Sequence, residues 1–461
     1  MQETENSGPA IQMLDKPAGN FRWVVVTLLF FATTINYLDR QVIGLLKDNL
    51  AKDFNWSEKD YSRIVMAFTS AYALALLIFG WLIDKIGTKL GYAVSVVVWS
   101  IAAMCHAIAA STLGFGIART ALGLGEGGNF PAAIKAIAEW FPKKDRAFAT
   151  GIFNSGTNVA SIIGPPAIAW IFINYGWKEA FVWTGALGFI WLIAWIWLYR
   201  DRYKYGSVGN KYESVGNKYG SVGVWEYGSG EQMDHSNPDS ADGENSSPKK
   251  SYSWWGLFRI RQTWTIILGK FLTDPIWWFY LFWIPSYFNT TYNLNISKSA
   301  IHVSTVYVVA SFGSILGGYL SGWLIKKGLP VYKARKYSML LFACCVVPIF
   351  FVRYTTGIWP AVWLISLAAA AHQAWSANIF TLISDMFPKH ALSSMVGIGG
   401  MAGSVGGILF PFLIGIILDH FKLLGLLGTG YNIIFGICAA AYLLAWVVMQ
   451  LLSPRMREVN I

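Results

Sequence analysis

Charge is scarce in this chain: Asp, Glu, Lys and Arg make up 13% of its 461 residues, against 55% hydrophobic, and the mean hydropathy is +0.44. Apolar runs repeatedly reach the ~20 residues that cross a bilayer, which excludes a soluble domain and points to a polytopic membrane protein. Cysteine is nearly missing. Cys105, Cys344, Cys345 and Cys438 all sit in apolar segments without metal-ligand spacing, and read as small core residues. Nor does the chain carry GxSxG, HExxH or a P-loop. "GLGEGG" from Gly123 satisfies GxGxxG, but it lies inside an apolar span with no preceding strand, so it reads as close helix packing and not as a dinucleotide site. A membrane-embedded enzyme would need a catalytic base at the interface or a large soluble loop with a site; neither is present, and no cofactor or metal is expected. The first twenty residues carry acids and no apolar h-region, so no cleaved signal peptide is expected.

What is present is an all-α pattern of twelve transmembrane helices. Hydropathy places them near 21–46, 59–83, 91–110, 113–138, 147–174, 179–199, 263–288, 299–325, 337–352, 358–384, 391–418 and 430–452. With the amino end inside, inner segments hold 24 of the 36 Lys and Arg and outer segments 8. That bias puts both termini in the cytoplasm and explains the net charge of +11 without nucleic acid. The expected organisation is a tail at 1–20, a six-helix half at 21–200, a linker at 201–262, a second six-helix half at 263–452 and a tail at 453–461. Within the linker "KYGSVGN", "KYESVGN" and "KYGSVGV" repeat every seven residues from Lys204, without the apolar seam of a coiled coil. "SWWGLFRIRQ" at its end resembles an amphipathic helix at the cytoplasmic interface.

The two halves echo each other. "GWLIDKIG" from Gly80 recurs as "GWLIKKG" from Gly322, and "FPKKDRAFATGIFNSG" from Phe141 as "FPKHALSSMVGIGGMAG" from Phe387. Two matches in the same order, 242 and 246 positions apart, argue for a duplicated six-helix unit with its functional cavity between the copies.

The remaining four basic residues, Arg40, Arg119, Lys135 and Lys270, fall inside spans. Arg119 and Glu126 stand seven apart, on one helix face, at estimated depths of ~9 and ~20 Å. Asp39 and Arg40 would sit ~27–29 Å up the first helix, near its outer edge. Three readings stand for these charges: they end the first span, they form an internal salt bridge, or they line a wet cavity, where ionisable groups inside spans usually find partners. Lys270 and Asp274, four apart, suit an intrahelical pair, and Asp274-Pro275 predicts a break. "IWWFYLFWIPSYF" offers either lipid-facing packing or, through Tyr280 and the tryptophans, flat surfaces for a sugar ring. His372, Gln373, Trp375, Ser376 and Asn378 form a mid-bilayer polar cluster, read as a binding surface in preference to glue between helices. Gly399, Gly403 and Gly407 make a small-residue packing seam.

"GWLIDKIGTK" resembles the loop signature of the major facilitator superfamily, with Gly80, Asp84, Gly87 and Lys89 in register; Thr88 stands where a basic residue is frequent, and Lys326 replaces the acid in the second copy. "NYLDR", "GLGEGGNFPAAIKAIAEWFP", "NSGTNVASIIGPP" and "KFLTDPIWWFYLFWIP" resemble the anion:cation symporter family, most closely bacterial hexuronate transporters. The resemblance implies an alternating-access monomer that couples protons to uptake of sugar acids such as glucuronate and galacturonate across the bacterial inner membrane. By it, Arg40 takes the substrate carboxylate, Asp39, Arg119 and Glu126 form the proton-coupling cluster, and His372, Gln373 and Trp375 meet the sugar. Tyr37 lies one turn before Arg40. Asp84 and Lys89 would belong to a cytoplasmic latch. An aldonate or another organic anion as substrate, a passive uniporter and a non-transporting sensor share the same pattern.

Overall fold

The computed structural model describes residues 20–56, 58–200, 254–292 and 296–459. The tail before residue 20 and the repeats at Lys204, Lys211 and Lys218 lie outside the described residues. In hydrocarbon each backbone N–H and C=O must be satisfied within its own segment, so the long apolar runs have to be helical. Among the described residues there are helices and turns and no strand. In chain order the α-helices are α1 (Phe21–Leu45), α2 (Lys47–Phe54), α3 (Glu58–Ile86), α4 (Thr88–Cys105), α5 (Thr112–Glu126), α6 (Asn129–Trp140), α7 (Lys143–Tyr175) and α8 (Trp177–Leu198). After the linker come α9 (Arg261–Tyr292), α10 (Ile296–Lys326), α11 (Val331–Val346), α12 (Ile358–Met386), α13 (Leu392–Leu423) and α14 (Leu427–Leu452).

With the short α2 set aside and α5 joined to α6, these form six rods on either side of the linker. Nine described helices are long and apolar enough to cross a membrane. The three rods outside that set are α5–α6, α9 and α12, which carry Arg119 and Glu126, Lys270 and Asp274, and the cluster from His372 to Asn378.

The fourth span is not one continuous helix: it breaks between Glu126 and Asn129, at Gly127 and Gly128. A Cβ on Gly127 would stand 2.5 Å from the Ala75 Cβ, and one on Gly125 2.7 Å from the Trp99 Cα. The glycines therefore let α5–α6 press against α3 and α4. The break expected at Asp274-Pro275 is absent, and α9 runs through the proline. Proline removes the N–H that would reach the Phe271 carbonyl. Gly406 of α13 packs at that place, where a Cβ would lie 2.6 Å from the Pro275 ring and 2.8 Å from the Phe271 oxygen, so a neighbouring helix shields the gap. The amphipathic helix expected from "SWWGLFRIRQ" is only a 3₁₀ turn over Trp254–Arg259, with Leu257 buried and Trp255 exposed.

The repeated loops have matching geometry. Gly87 after α3 and Gly328 after α10 have φ of +91° and +95°, a left-handed backbone that L side chains rarely adopt. The halves meet mainly through α10 on α7 and α13 on α3. At these crossings Gly80 faces the Ser393 carbonyl at 2.6 Å from a would-be Cβ, and Gly322 faces the Lys144 carbonyl at the same distance. Close backbone approach without side chains is what small residues permit between membrane helices.

Candidate functional site

Between the halves lies a cavity of about 90 Å³, several times the ~10–15 Å³ that one water requires on that measure. Its first-half wall includes Tyr37, Arg40, Tyr72, Asn154 and Thr157; its second-half wall includes Lys270, Asp274, His372, Gln373 and Ser376. Arg40 is the only arginine among the lining residues described.

The Arg40 side chain reaches inward from α1 to α5, where its Nε and Nη2 donate to the same Glu126 oxygen at 3.0 and 2.7 Å. It therefore stands deeper than the outer edge at which its backbone position put it. Three aromatic rings surround the guanidinium, with Tyr37, Tyr72 and Phe68 centroids 4.6, 4.7 and 5.0 Å from its carbon. Desolvated cation–π contacts are worth up to ~2 kcal/mol, so the cage holds the cation without neutralising it. Glu126 is completely buried, and its second oxygen has no hydrogen-bond partner. Arg119 is buried behind the cavity wall and donates to the Arg40 carbonyl at 3.1 Å, tying α5 to α1. Asp39 turns away from Arg40. It is 2% exposed, and neither carboxyl oxygen has a hydrogen-bond partner. Its electrostatic neighbours include Glu126 and Arg119, and the nearby Thr184 hydroxyl donates to the Phe181 carbonyl of its own helix. Asp39, Arg40, Arg119 and Glu126 thus converge, with Arg40 and not Arg119 as the direct partner of Glu126.

On the opposite wall Lys270 and Asp274 form the expected intrahelical pair at 2.7 Å, and they face the cavity. Gln373 joins the halves: its oxygen accepts from Asn154 at 2.6 Å and its amide donates to Asn158 at 3.2 Å. His372 stacks on Trp277 with centroids 5.1 Å apart, and its Nδ1 is hydrogen-bonded to the Tyr442 hydroxyl. Tyr280 and Trp375, expected to meet a sugar ring, are not among the lining residues. Both are buried in second-half packing, with Trp375 edge-on to Tyr442. Their place follows from helix phase, since α9 and α12 turn other residues, Trp277, Trp278, His372 and Gln373, toward the cavity.

Sequence reasoning missed Asn154 and Asn158, whose i, i+4 spacing inside an apolar span was the available signal. It also missed Tyr72, for which spacing gives none.

The halves are locked at the end where α3 stops. The Asp84 carboxylate accepts from the Ser393 and Ser394 backbone N–H groups at 3.1 and 2.7 Å, at the start of α13. An anion there satisfies orphan donors and the positive end of the helix dipole. Lys135 completes the group, donating to Asp84 and to the Ile83 carbonyl, both at 3.0 Å. Lys89, in the first turn of α4, is partly buried, and its carbonyl accepts from Trp195 at 3.0 Å. The second copy is built with the charges exchanged. Lys326 pairs with Asp145 in the first turn of α7 at 3.4 Å. Buried Asp385 adds a further anchor, bonded to Arg335 at 2.9 Å and 3.7 Å from Arg146, which donates across the halves to the Ser384 carbonyl at 2.6 Å.

A hexuronate transporter of Escherichia coli (strain K12) is 30% identical over 437 residues, covering 93% of this chain and 94% of that one. A galacturonate transporter of Dickeya chrysanthemi is 31% identical over 299 residues, 65% of this chain and 81% of that one. A probable galactarate/D-glucarate transporter of E. coli (strain K12) is 29% identical, covering 87% and 88%. Among solved structures, a proton:xylose symporter matches with a TM-score of 0.71 over 95% of this chain and 97% of that one, and the E. coli fucose:proton symporter with 0.65 over 94% and 100%; at 13% and 14% identity they show the fold alone. The Major Facilitator Superfamily profile matches residues 29–411. With a cavity between two repeated helical halves, a latch at one end and this match over most of its length, the chain belongs to the major facilitator superfamily of membrane transporters.

Proposed function

We propose that this protein is a proton-coupled symporter that imports a hexuronate, such as glucuronate or galacturonate, or a related sugar acid, by alternating access. The observation that supports this most is the Arg40–Glu126 pair in the cavity wall. Arg40 presents a planar fork suited to a carboxylate, and here that fork is occupied by a carboxylate of the protein. A substrate carboxylate competes for it. If Glu126 gave up Arg40 as an anion it would be a buried charge without a partner, which costs several kcal/mol. A proton on Glu126 removes that cost and frees the guanidinium, so anion and proton load together. Asp39, buried without a donor, supplies a second carboxyl through which a proton can pass, while Arg119 keeps the α1 backbone in place.

Around the bound carboxylate, Tyr37 and Tyr72 provide flat faces and hydroxyls, and Gln373 and His372 present polar atoms from the other half. The latch at Asp84, Gly80, Gly87 and Lys89 faces the cytoplasm in this reading, with both termini on that side of the bacterial inner membrane. The conformation described is then closed to the cytoplasm. One proton with one monoanion moves no net charge; a second proton would add ~2.3 kcal/mol per 100 mV of membrane potential.

Uptake of labelled glucuronate into proteoliposomes tests the reading. Accumulation driven by an inward pH gradient and abolished by a protonophore is expected. Equilibration that ignores the gradient would identify a passive uniporter, and absence of any sugar-acid flux would overturn the assignment.

A further inference from the structure

The Lys270–Asp274 pair is lopsided. Lys270 is 2% exposed and Asp274 22%, although their charged atoms are only 2.7 Å apart. A pair made solely to neutralise charge inside a helix bundle would have no reason to turn one partner toward an aqueous cavity. Here the lysine is the buried support: its Nζ lies 4.1 Å from the Phe380 ring centroid, and its stem lies where a Cβ on Gly399 would approach to 3.0 Å. The carboxylate is the presented group. Gly403 of α13 leaves the space it occupies, since a Cβ at that position would collide with the Asp274 oxygen. The glycine stripe that reads as a packing seam is therefore also the recess in which this pair sits. Asp274 lines the same cavity as Tyr37, Arg40 and Tyr72 but from the second-half wall, so it stands across the cavity from the Arg40 cage.

We propose, resting on the sugar-acid reading above, that Asp274 is the specificity residue of this site: it accepts hydrogen bonds from substrate hydroxyls at the end remote from the carboxylate and rejects a second carboxylate. The cavity then has a cationic pole at Arg40 and an anionic pole at Asp274. A hexuronate or aldonate, with one carboxylate and a polyhydroxyl end, is complementary to both. An aldarate, with a carboxylate at each end, places an anion against Asp274, and the Lys270 ammonium, although it lines the cavity, is already held by Asp274 at 2.7 Å. Repulsion of the wrong ligand is an efficient way to separate substrates that share every other group. The pair also rides on one helix, so closing the cavity does not separate it, and the pole keeps its sign throughout transport.

The experiment is direct binding to the purified full chain by calorimetry, with glucuronate, galactonate and galactarate as ligands. The wild type is expected to bind the two monocarboxylates at least ~10-fold more tightly than galactarate, the range of a hydrogen bond to a charged group. Asp274→Asn, which leaves Lys270 uncompensated, is expected to narrow or invert that ratio. Asp274→Glu, which keeps the charge, preserves the rejection and controls for misfolding. Equal wild-type affinity for galactarate and glucuronate, or a ratio unmoved by Asp274→Asn in a monodisperse protein, would overturn the inference while leaving sugar-acid transport intact. Binding of no sugar acid at all would overturn both.

Discussion

The two halves repeat the same loop motifs and use their charges differently. In the first half the cavity pair joins two helices, Arg40 on α1 and Glu126 on α5, whereas in the second it lies within α9, four residues apart. An interhelical pair can be parted by a small movement or by a competing ligand. An i, i+4 pair travels as a unit. The first half can therefore switch, and the second can only present a fixed surface. The same contrast holds at the closed end: Asp84 grips backbone N–H groups at a helix start, while Lys326 meets a side-chain carboxylate with 56% of its own side chain exposed.

Substitutions can break this comparison, and the largest effect is expected at Arg40. Arg40→Lys keeps the charge but loses the fork, and leaves Glu126 with a poorer partner; both exchange and uphill uptake should fall ~100-fold or more, a loss of about 3 kcal/mol in transport assays. Transport near wild-type levels would show that a point charge suffices. Glu126→Gln should come next: exchange of external for internal substrate persists, while accumulation against a gradient disappears. Loss of both would make Glu126 a structural group. Asp84→Asn removes the anion at the α13 start, worth up to ~2 kcal/mol where partly buried, and should shift the population several-fold toward conformations in which cysteine pairs across the closed end no longer cross-link. Lys326→Met should have the smallest effect, within ~0.5 kcal/mol of thermal stability, because exposed ion pairs contribute little. If Lys326→Met matched Asp84→Asn, the two copies of the loop would be equivalent after all.

Much of this was legible beforehand, for identifiable reasons. The all-helical class follows from the long apolar runs and the repeat from two echoed motifs, while only nine of the twelve expected spans are apolar enough among the described helices; Gly87 and Gly328 carry the loop geometry in their own identity. The convergence of Arg40 and Glu126 was legible as a shared need for partners inside hydrocarbon. Their direct bond was not, because depth counted along the backbone ignores how far a guanidinium reaches. Tyr280 and Trp375 were misplaced since aromatic character says nothing of helix phase when a whole face is aromatic. Asp385 with Arg335 and Arg146 escaped notice because the partners lie 50 and 239 positions apart, and only the packed halves bring them together. The break at Pro275 failed to form because a glycine on another helix covers the freed carbonyl, which no local rule contains.

The central claim is that the substrate's anion takes Arg40 only as Glu126 takes a proton. It is tested most directly by mixing detergent-solubilised protein with glucuronate in weakly buffered solution and counting protons with an indicator dye. The account predicts proton uptake from solution on binding, approaching one per monoanion above neutral pH and lost in Glu126→Gln that still binds. Saturating binding with no proton taken up at any pH, or uptake unchanged in that variant, would contradict it.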